Sequence, residues 1–262
     1  MLDAPESAGV AREKQRVGAL ICVRLASTRL PGKALVEIAN VESIALLIER
    51  VNACESFGHT VLCTTTAPED QKLAAIATRE HIGVFRGSVQ NVAQRMWGAV
   101  QEFGFDDFVR ITGDNLLCCM DLNDLAVESH LRHTADYTYV TGVFLGGDSE
   151  VVRAQALEAV ADRAVKSENT EYLSWYLDDP TVFKVNRMVA DERYWRDYRL
   201  TLDTPEDLEV IRAVYDALYE PGRPVDAVEA LEWLDNNEEI RRINQGVREK
   251  VDRKDLNLDL YL

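Results

Sequence analysis

Long apolar segments and paired cysteines are both missing from this sequence. No run of about 18 apolar residues occurs, so we expect no transmembrane helix. Residues 1–16 are polar and have no apolar signal core, which predicts a flexible tail rather than a secretory peptide. The five cysteines contain no Cys-x-x-Cys pair, which argues against a zinc knuckle or a disulfide framework. These absences favour a protein of the reducing cytoplasm.

Positive charge is also scarce. The chain has 29 Lys and Arg residues against 45 Asp and Glu residues, for a formal net charge of −16. A surface this acidic repels polyanions, which argues against nucleic acid or an anionic membrane as the main partner. Any phosphate group that the protein binds must therefore meet a local concentration of cations.

From Val17 onward, short apolar runs alternate with amphipathic segments. The apolar runs predict strands at 17–25, 60–66, 83–87, 107–114, 135–143, 182–190 and 198–204. The amphipathic segments predict helices at 41–53, 69–81, 91–104, 153–166, 205–219, 225–236 and 237–250. Strands separated by helices of this length are typical of an α/β fold with a mostly parallel central sheet flanked by helices.

The chain shows no internal repeat and no linker composition. We therefore expect one domain over residues 17–262. The less regular segment 135–200 is predicted to form a semi-independent lobe within it, with a role in acceptor binding or dimerisation.

A basic loop follows the first predicted strand. Ligands of open α/β sheets bind beyond the carboxyl ends of the strands, and this loop places Arg24, Arg29 and Lys33 there within ten residues. Guanidinium groups match paired phosphate oxygens, lysine adds a point charge, and Gly32 permits close approach of the backbone. The spacing is not that of a Walker A loop. The loop predicts a phosphate site, and a solvated basic loop is the alternative.

Two carboxylates stand where they could hold a metal ion. Asp114 ends the strand predicted at 107–114, and Asp203 precedes Thr-Pro-Glu-Asp. Magnesium prefers one or two protein carboxylates, with water and substrate phosphates completing its shell. Asp203 is also compatible with helix capping, and Asp114 with a turn. The two carboxylates and the basic loop together favour a phosphate-transfer site.

Other segments carry weaker signals. Residues 85–88 could contact a base or ribose, and the acidic loop 146–150 could hold sugar hydroxyls or a second cation; each is equally compatible with a turn. His130 and His133 are spaced for a metal pair on a helix but have no third ligand nearby in sequence. No Gly-x-Ser-x-Gly motif or Cys/His pairing indicates nucleophilic catalysis.

Five segments together resemble a known family. The sequence is similar to the cytidylyltransferases of the spore-coat polysaccharide biosynthesis protein F type, relatives of the enzymes that make CMP-activated Kdo and CMP-sialic acids. The resemblance covers roughly residues 17–220. Its segments are 24–35 (Arg-Leu-Ala-Ser-Thr-Arg-Leu-Pro-Gly-Lys-Ala-Leu), 85–88, 110–114, 146–150 and 201–208 (Thr-Leu-Asp-Thr-Pro-Glu-Asp-Leu).

This resemblance implies a Rossmann-like nucleotidyltransferase fold of the glycosyltransferase-A-like kind, usually dimeric, that uses CTP and Mg²⁺. By resemblance, Arg24, Arg29 and Lys33 would hold the triphosphate. The full set of residues expected to bind the nucleotide is Val23, Arg24, Leu25, Ser27, Arg29, Lys33, Arg86, Ser88 and Thr112.

The same resemblance assigns the remaining roles. Asp114 and Asp203 match metal-binding positions, and Asp148 and Glu150 match an acidic motif expected at the acceptor. The residues expected to be catalytic are Arg24, Lys33, Asp114 and Asp203.

The chain departs from the family pattern at three places. Asn91 stands where the family often has Asp, and Asn115-Leu116-Leu117 replaces Cys-Pro-Leu. Residues 168–171 read Glu-Asn-Thr-Glu in place of Glu-His-Val-Thr. These differences leave the nucleotide half well matched and put the identity of the acceptor in doubt.

The reaction expected from residues and resemblance is attack of an acceptor oxygen on the α-phosphorus of CTP, with loss of pyrophosphate. The expected acceptor is an acidic sugar, an ulosonic or nonulosonic acid, or a phosphorylated metabolite, in surface polysaccharide biosynthesis. One alternative is a nucleotide-sugar glycosyltransferase, although such enzymes commonly carry Asp-x-Asp and Asp114 is followed by Asn115-Leu116. The other alternative is a non-catalytic nucleotide-binding homologue.

Overall fold

The computed structural model describes residues 16–163 and 172–248. The strands are β1 Val17–Cys22, β2 Glu37–Ile38, β3 Val41–Glu42, β4 His59–Thr65, β5 Gly83–Gly87, β6 Asp107–Thr112, β7 Tyr137–Thr141, β8 Glu150–Arg153 and β9 Val185–Val189. The helices are α1 Ser43–Asn52, α2 Gln71–Arg79, α3 Val92–Phe103, α4 Met120–His133, α5 Ala154–Arg163, α6 Leu173–Leu177, α7 Pro205–Leu218, α8 Ala227–Asp235 and α9 Glu238–Arg241.

Seven of these strands form one mixed sheet in the order β5-β4-β1-β6-β8-β7-β9. Strands β5, β4, β1 and β6 are mutually parallel. Strand β8 runs antiparallel to both β6 and β7, while β9 is parallel to β7. The short strands β2 and β3 make a separate antiparallel pair. The predicted α/β fold with a mostly parallel sheet is therefore confirmed.

The central strands read as continuous apolar runs because both faces of the sheet are covered. Ala19, Leu20 and Ile21 of β1 are all fully buried. Ala19 and Ile21 pack on one side with α1, α2, α4, α7 and α8, and Leu20 packs on the other side with α3, α5 and α6. A strand that is buried on both faces has apolar residues at successive positions. It does not show the alternation of apolar and polar residues that is typical of a strand with one face in water.

Most predicted elements are present with shifted ends. The predicted strand 83–87 matches β5, and the helix predicted at 91–104 matches α3, where the Asn91 side chain caps the first turn. Strand β1 ends at Cys22, so 23–25 belong to the loop that follows. The helix predicted at 153–166 begins after β8 and its residues 164–166 lie outside the described residues. The predicted tail lies outside them too, except Arg16, whose backbone N–H donates to Asp106.

Two predicted elements are wrong. Residues 198–204 do not form a sheet strand, because Leu200 N–H donates to Leu145 O and Leu202 N–H donates to Asp114 O, so the segment bonds two different loops. The apolar alternation that suggested a strand comes from Leu200 and Leu202 both being buried. The helix predicted at 237–250 is helical only over Glu238–Arg241 within its described part, 237–248, and the residues after it form turns.

The sequence analysis missed β2, β3, β8 and α6, each of five residues or fewer, and gave no bounds for the fourteen-residue helix α4, which it placed only around His130 and His133. The short elements contain too few residues to show the regular spacing of apolar residues by which a helix or a strand is predicted. In the described parts of the chain, no helix has both the length and the apolar character needed to cross a membrane.

Candidate active site

A cleft of about 280 Å³ opens beyond the carboxyl ends of β1 and β6. This is the edge at which parallel α/β sheets bind their ligands. The residues lining the cleft are Cys22, Val23, Arg24, Ala26, Ser27, Thr28, Arg29, Lys33, Val92, Arg95, Arg110, Thr112, Gly113, Asp114 and Asp203. The cleft thus gathers most of the residues predicted to bind nucleotide, together with both predicted metal ligands.

The basic loop is held in place by a short 3-10 turn. Gly32 has a left-handed backbone, φ +68°, directly before the 3-10 helix Lys33–Leu35. Glycine adopts this conformation without the steric cost that other residues meet. The Ser43 hydroxyl at the start of α1 donates to Lys33 O at 2.7 Å. These contacts fix the backbone from which the Lys33 side chain reaches into the cleft.

The Lys33 ammonium group joins the two aspartates. Its Nζ lies 2.6 Å from Asp114 Oδ2 and 2.6 Å from Asp203 Oδ1. The Arg29 guanidinium also pairs with Asp203. The side chains of Lys33, Asp114 and Asp203 are only 15%, 22% and 19% exposed, so water screens these interactions less than it does at an open surface. Asp114 and Asp203, which are far apart in sequence, therefore both direct their carboxylates at the Lys33 ammonium.

These ion pairs shift the pKa values of Lys33 and Asp114. Burial disfavours the charged form of Lys33, but Asp114 and Asp203 outweigh it and raise the lysine pKa above its ordinary value. Burial likewise disfavours the Asp114 carboxylate, and the nearby Lys33 charge outweighs it, so the Asp114 pKa is lowered. Both groups are therefore charged at neutral pH.

Asp114 lies after a glycine that the packing requires. A Cβ at Gly113 would lie 2.6 Å from Val23 Cβ, closer than real side-chain contacts allow. The Gly113 N–H donates to Cys22 O, which ties the end of β6 to the end of β1. The absence of a side chain at 113 thus lets the basic loop pass directly beside Asp114.

Asp203 is positioned by the start of α7. Thr204 is the N-cap of this helix and forms a capping box with Asp207. The fully buried Asp207 carboxylate accepts the Asp203 and Thr204 N–H groups and pairs with Arg199. Asn244 also donates to Asp207 at 2.9 Å. The cap of this helix is therefore Thr204 and not Asp203, whose side chain lines the cleft.

Arg24 and Arg95 form the side of the cleft that lies next to the loop after β5. Arg24 Nη1 donates to Val89 O at 3.4 Å, and Arg95 Nη1 donates to Ser88 O at 2.8 Å. Both arginines line the cleft. They connect the loop after β5 to the floor of the cleft and add positive charge there.

Three residues predicted to bind nucleotide do not line this cleft. The Arg86 guanidinium donates to Thr65 O and Ala67 O. Ser88 Oγ accepts the Asn91 N–H, and the Leu25 N–H donates to Asp70. In this structure Arg86, Ser88 and Leu25 brace the strand ends around the cleft.

Asp148 and Glu150 lie at a neighbouring cavity of about 260 Å³. Glu150 accepts a hydrogen bond from Tyr137 OH at 2.6 Å and pairs with Arg110, which lines the first cleft. Surrounding protein and the Glu150 charge raise the pKa of Asp148 to about 6, although its side chain is open to the cavity. The two cavities therefore adjoin at the Arg110–Glu150 pair.

The donor set of the main cleft suits Mg²⁺. Asp114 and Asp203 already converge on one cation, the Lys33 ammonium, and both supply hard oxygen ligands. Within 16–163 and 172–248, no three His, Cys, Asp or Glu residues form a group that could hold a metal by themselves. Two carboxylates fit a metal that takes its other ligands from substrate phosphates and water.

The histidines are not arranged as a metal site. His130 is fully buried, with Nε2 3.1 Å from Asp107 Oδ1 and Nδ1 2.9 Å from Thr138 Oγ1. His133 Nδ1 bonds to Ser129 O in the preceding turn of α4. The two rings therefore bond to different partners within the fold.

The sequence reading missed several residues of this region, namely Cys22, Arg95, Arg110 and Arg199. Cys22 ends β1, and Arg110 lies within β6 at the start of the segment 110–114 that carries the family resemblance, so both positions gave a usable signal. Arg199 precedes Asp203 and Asp207 at intervals of four, but helical spacing has no meaning there because the segment is extended. Arg95 gave no signal, since an arginine in an amphipathic helix ordinarily faces water.

The sheet order and the position of this cleft define a protein of the Rossmann-like α/β class. The structure is similar to CMP:2-keto-3-deoxy-manno-octonic acid synthetase solved in complex with CTP, with a TM-score of 0.58. Sequence identity is 14%, and the match covers 78% of this chain and 99% of that chain. At this identity the similarity shows the fold alone.

Within that class, the chain belongs to the cytidylyltransferase family, which it matches over residues 19–240. It is 32% identical over 226 residues to spore coat polysaccharide biosynthesis protein SpsF of Bacillus subtilis, covering 83% of this chain and 93% of that protein. A cytidylyltransferase structure from Leptospira borgpetersenii serovar Hardjo-bovis matches with a TM-score of 0.82 and 27% identity, covering 90% of this chain and all of that one. The predicted family and enzyme class are confirmed.

Proposed function

We propose that this enzyme transfers CMP from CTP to an acceptor oxygen, with Mg²⁺ bound by Asp114 and Asp203 and with release of pyrophosphate. The observation that carries the proposal is the meeting of Lys33, Asp114 and Asp203 in one cleft with Arg24 and Arg29. A triphosphate needs concentrated positive charge on a protein of net charge −16, and this cleft supplies it.

The residues of the basic loop would bind and orient the triphosphate. Arg29 offers a planar fork that matches two phosphate oxygens, and Lys33 offers a mobile point charge. Both now pair with carboxylates, and these pairs hold the side chains inside the cleft before nucleotide arrives. Charge that accumulates on the departing pyrophosphate would be stabilised by the same two groups.

The carboxylates of Asp114 and Asp203 would hold the metal ion. When bound, Mg²⁺ neutralises phosphate charge and polarises the bonds to phosphorus, which lowers the repulsion that an incoming oxygen meets. Arg199 and the α7 capping box would keep Asp203 directed into the cleft. The protein's part in the reaction is positioning and charge compensation, with no covalent intermediate.

The acceptor would enter from the adjoining cavity. Asp148 is open to this cavity and would accept hydrogen bonds from the hydroxyl groups of a sugar, while Glu150 braces Arg110 at the boundary with the nucleotide cleft. We propose an ulosonic or nonulosonic acid, or a phosphorylated metabolite, as the acceptor class. The similarity to SpsF of Bacillus subtilis supports a place in surface polysaccharide biosynthesis.

A pyrophosphate-release screen tests this proposal. CTP, UTP, ATP and GTP are each combined with a panel of acidic and phosphorylated sugars and Mg²⁺, and pyrophosphate and nucleoside diphosphate are both measured. We expect pyrophosphate with CTP, and a loss of about 10²-fold or more in rate for Asp114→Ala and Asp203→Ala, since each removes a transition-state electrostatic contact.

Three other results would count against it. Release of nucleoside diphosphate when a nucleotide sugar replaces the nucleoside triphosphate would indicate a glycosyltransferase. CTP binding without turnover on any acceptor would indicate a non-catalytic homologue. Wild-type turnover by Asp114→Ala would show that Asp114 has no part in the reaction.

A further inference from the structure

Two cysteines lie side by side near the floor of the main cleft, and of the two it is Cys22 that lines it. Cys22 ends β1, and its register partner on the parallel strand β4 is Cys63. Paired residues on neighbouring strands are about 4.7–4.9 Å apart and point to the same face, and a disulfide accepts Cα separations of about 4.4–6.8 Å. The two side chains are near enough for each to affect the pKa of the other. A bond between them therefore needs little movement of the backbone.

Access to the two thiols differs. Cys22 is half-buried and lines the cleft, whereas Cys63 is fully buried beneath the sheet surface. A small solute in the cleft thus meets Cys22 first. The remaining cysteines, Cys54, Cys118 and Cys119, are buried and do not line this cleft.

The surroundings of Cys22 favour its thiolate. Arg95 and Arg110 line the same cleft and direct positive charge toward it. The hydrogen bond from Cys63 and these two guanidinium groups outweigh burial and lower the pKa of Cys22 to about 7. Burial instead raises the pKa of Cys118 to about 11.

We propose that Cys22 is a peroxide-reactive thiol at the floor of the nucleotide cleft, and that Cys63 resolves its oxidised form into a reversible Cys22–Cys63 disulfide. This inference rests on the pair of thiols and on the cleft itself, and it holds whether or not the cleft binds CTP.

The chemistry balances with hydrogen peroxide as the oxidant. The Cys22 thiolate attacks one peroxide oxygen, the O–O bond breaks, and hydroxide leaves, which gives a sulfenic acid at Cys22. The Cys63 sulfur then attacks the Cys22 sulfur, the S–O bond breaks, and water leaves with the Cys63 proton. Two thiols lose two electrons in total and one peroxide becomes two waters. A dithiol reductant reverses the step by thiol–disulfide exchange.

Peptide mapping of the full-length protein after peroxide treatment tests the proposal. We expect a Cys22–Cys63 linked peptide that disappears on addition of dithiothreitol. The Cys63→Ala variant should stop at the sulfenic acid, which dimedone traps on Cys22. The Cys118→Ser variant is the matched control and should form the disulfide at the wild-type rate.

The linked peptide is measured in the wild-type protein, so this test does not require any variant to fold. The proposal is overturned if peroxide leaves Cys22 and Cys63 unlinked. It is also overturned if Cys54 or Cys118, which are buried away from the cleft, oxidises as fast as Cys22, because the cleft would then not be what makes Cys22 reactive.

Discussion

Lys33 is the residue on which the charge balance of the cleft depends. Its ammonium pairs with both Asp114 and Asp203, and all three side chains line the cleft. Without Lys33, only Arg29 and Arg199 would remain as ion-pair partners of Asp203 among the described residues. The cleft would then present uncompensated negative charge to a negative ligand.

We therefore expect Lys33→Ala to weaken CTP binding by roughly tenfold or more, since a hydrogen bond to a charged group contributes about 1.5–3 kcal/mol. Isothermal titration with CTP and Mg²⁺ measures this change. The control is Arg132→Ala, which removes one cation from an exposed pair with Glu128 on α4. Equal affinities for wild type and Lys33→Ala would contradict the assignment of Lys33 to the triphosphate.

Cys22 gives a second prediction at this scale, one of pH dependence. Thiolates react with iodoacetamide and thiols do not, so a lowered pKa moves the reactive form to lower pH. Because the pKa of Cys22 is about 7, its alkylation rate should rise steeply between about pH 6 and 8 and then level off.

Cys118 has a pKa raised to about 11 and should stay nearly unreactive over the same range. Mass spectrometry of the two tryptic peptides after timed alkylation measures both rates in one sample. A midpoint for Cys22 near 9, the ordinary thiol value, would show that Cys63, Arg110 and Arg95 do not stabilise its thiolate.

Among the elements, α7 has the most direct effect on the cleft, because its first turn fixes Asp203. Thr204 caps this helix, and Asp226 caps α8 in a similar way by accepting the Glu229 N–H. Loss of either cap should lower the free energy of unfolding by about 1 kcal/mol. Only the α7 cap adjoins a predicted metal ligand.

We expect Thr204→Ala and Asp226→Ala to have similar urea midpoints, both below that of wild type. Thr204→Ala alone should also raise the Mg²⁺ concentration needed for half-maximal turnover, because Asp203 loses its fixed direction. If both variants needed the same Mg²⁺ concentration as wild type, the α7 cap would have no role in positioning Asp203.

The elements also show what local sequence signals can predict. The helix α3 was readable because Asn91 caps its start and Gly104 ends it with a left-handed φ of +68°. The segment 198–204 was wrongly predicted as a strand because alternating burial of side chains occurs in any extended segment. Such a segment is a strand of the sheet only when its backbone forms hydrogen bonds with one neighbouring strand. Local pattern thus located most helices and strands, but it did not report their partners.

At the scale of the whole molecule, the candidate site is assembled from distant parts of the chain. Lys33 is 81 residues from Asp114 and 170 residues from Asp203. Sequence alone predicted the edge of the sheet at which the basic loop and Asp114 lie, since parallel strands share that edge. The same reasoning singled out Asp203 near the end of the strand predicted at 198–204, and the family resemblance then supported this choice, although the segment is not part of the sheet.

The neighbouring cavity shows the limit of such reasoning. Strand β8 is inserted antiparallel between β6 and β7, and this order brings Glu150 opposite Arg110. No local feature of a four-residue strand predicts which neighbours it will have, because that choice depends on how the entire sheet packs. The proposed acceptor side was therefore harder to predict from sequence than the proposed nucleotide side.

The most direct test of the central claim is a crystal structure of the protein grown with CTP and Mn²⁺, which stands in for Mg²⁺ and has an anomalous signal. We predict an anomalous peak within coordination distance of the Asp114 and Asp203 carboxylates, with the triphosphate against Arg29 and Lys33. A peak bound elsewhere, or CTP outside the cleft at the ends of β1 and β6, would contradict the account.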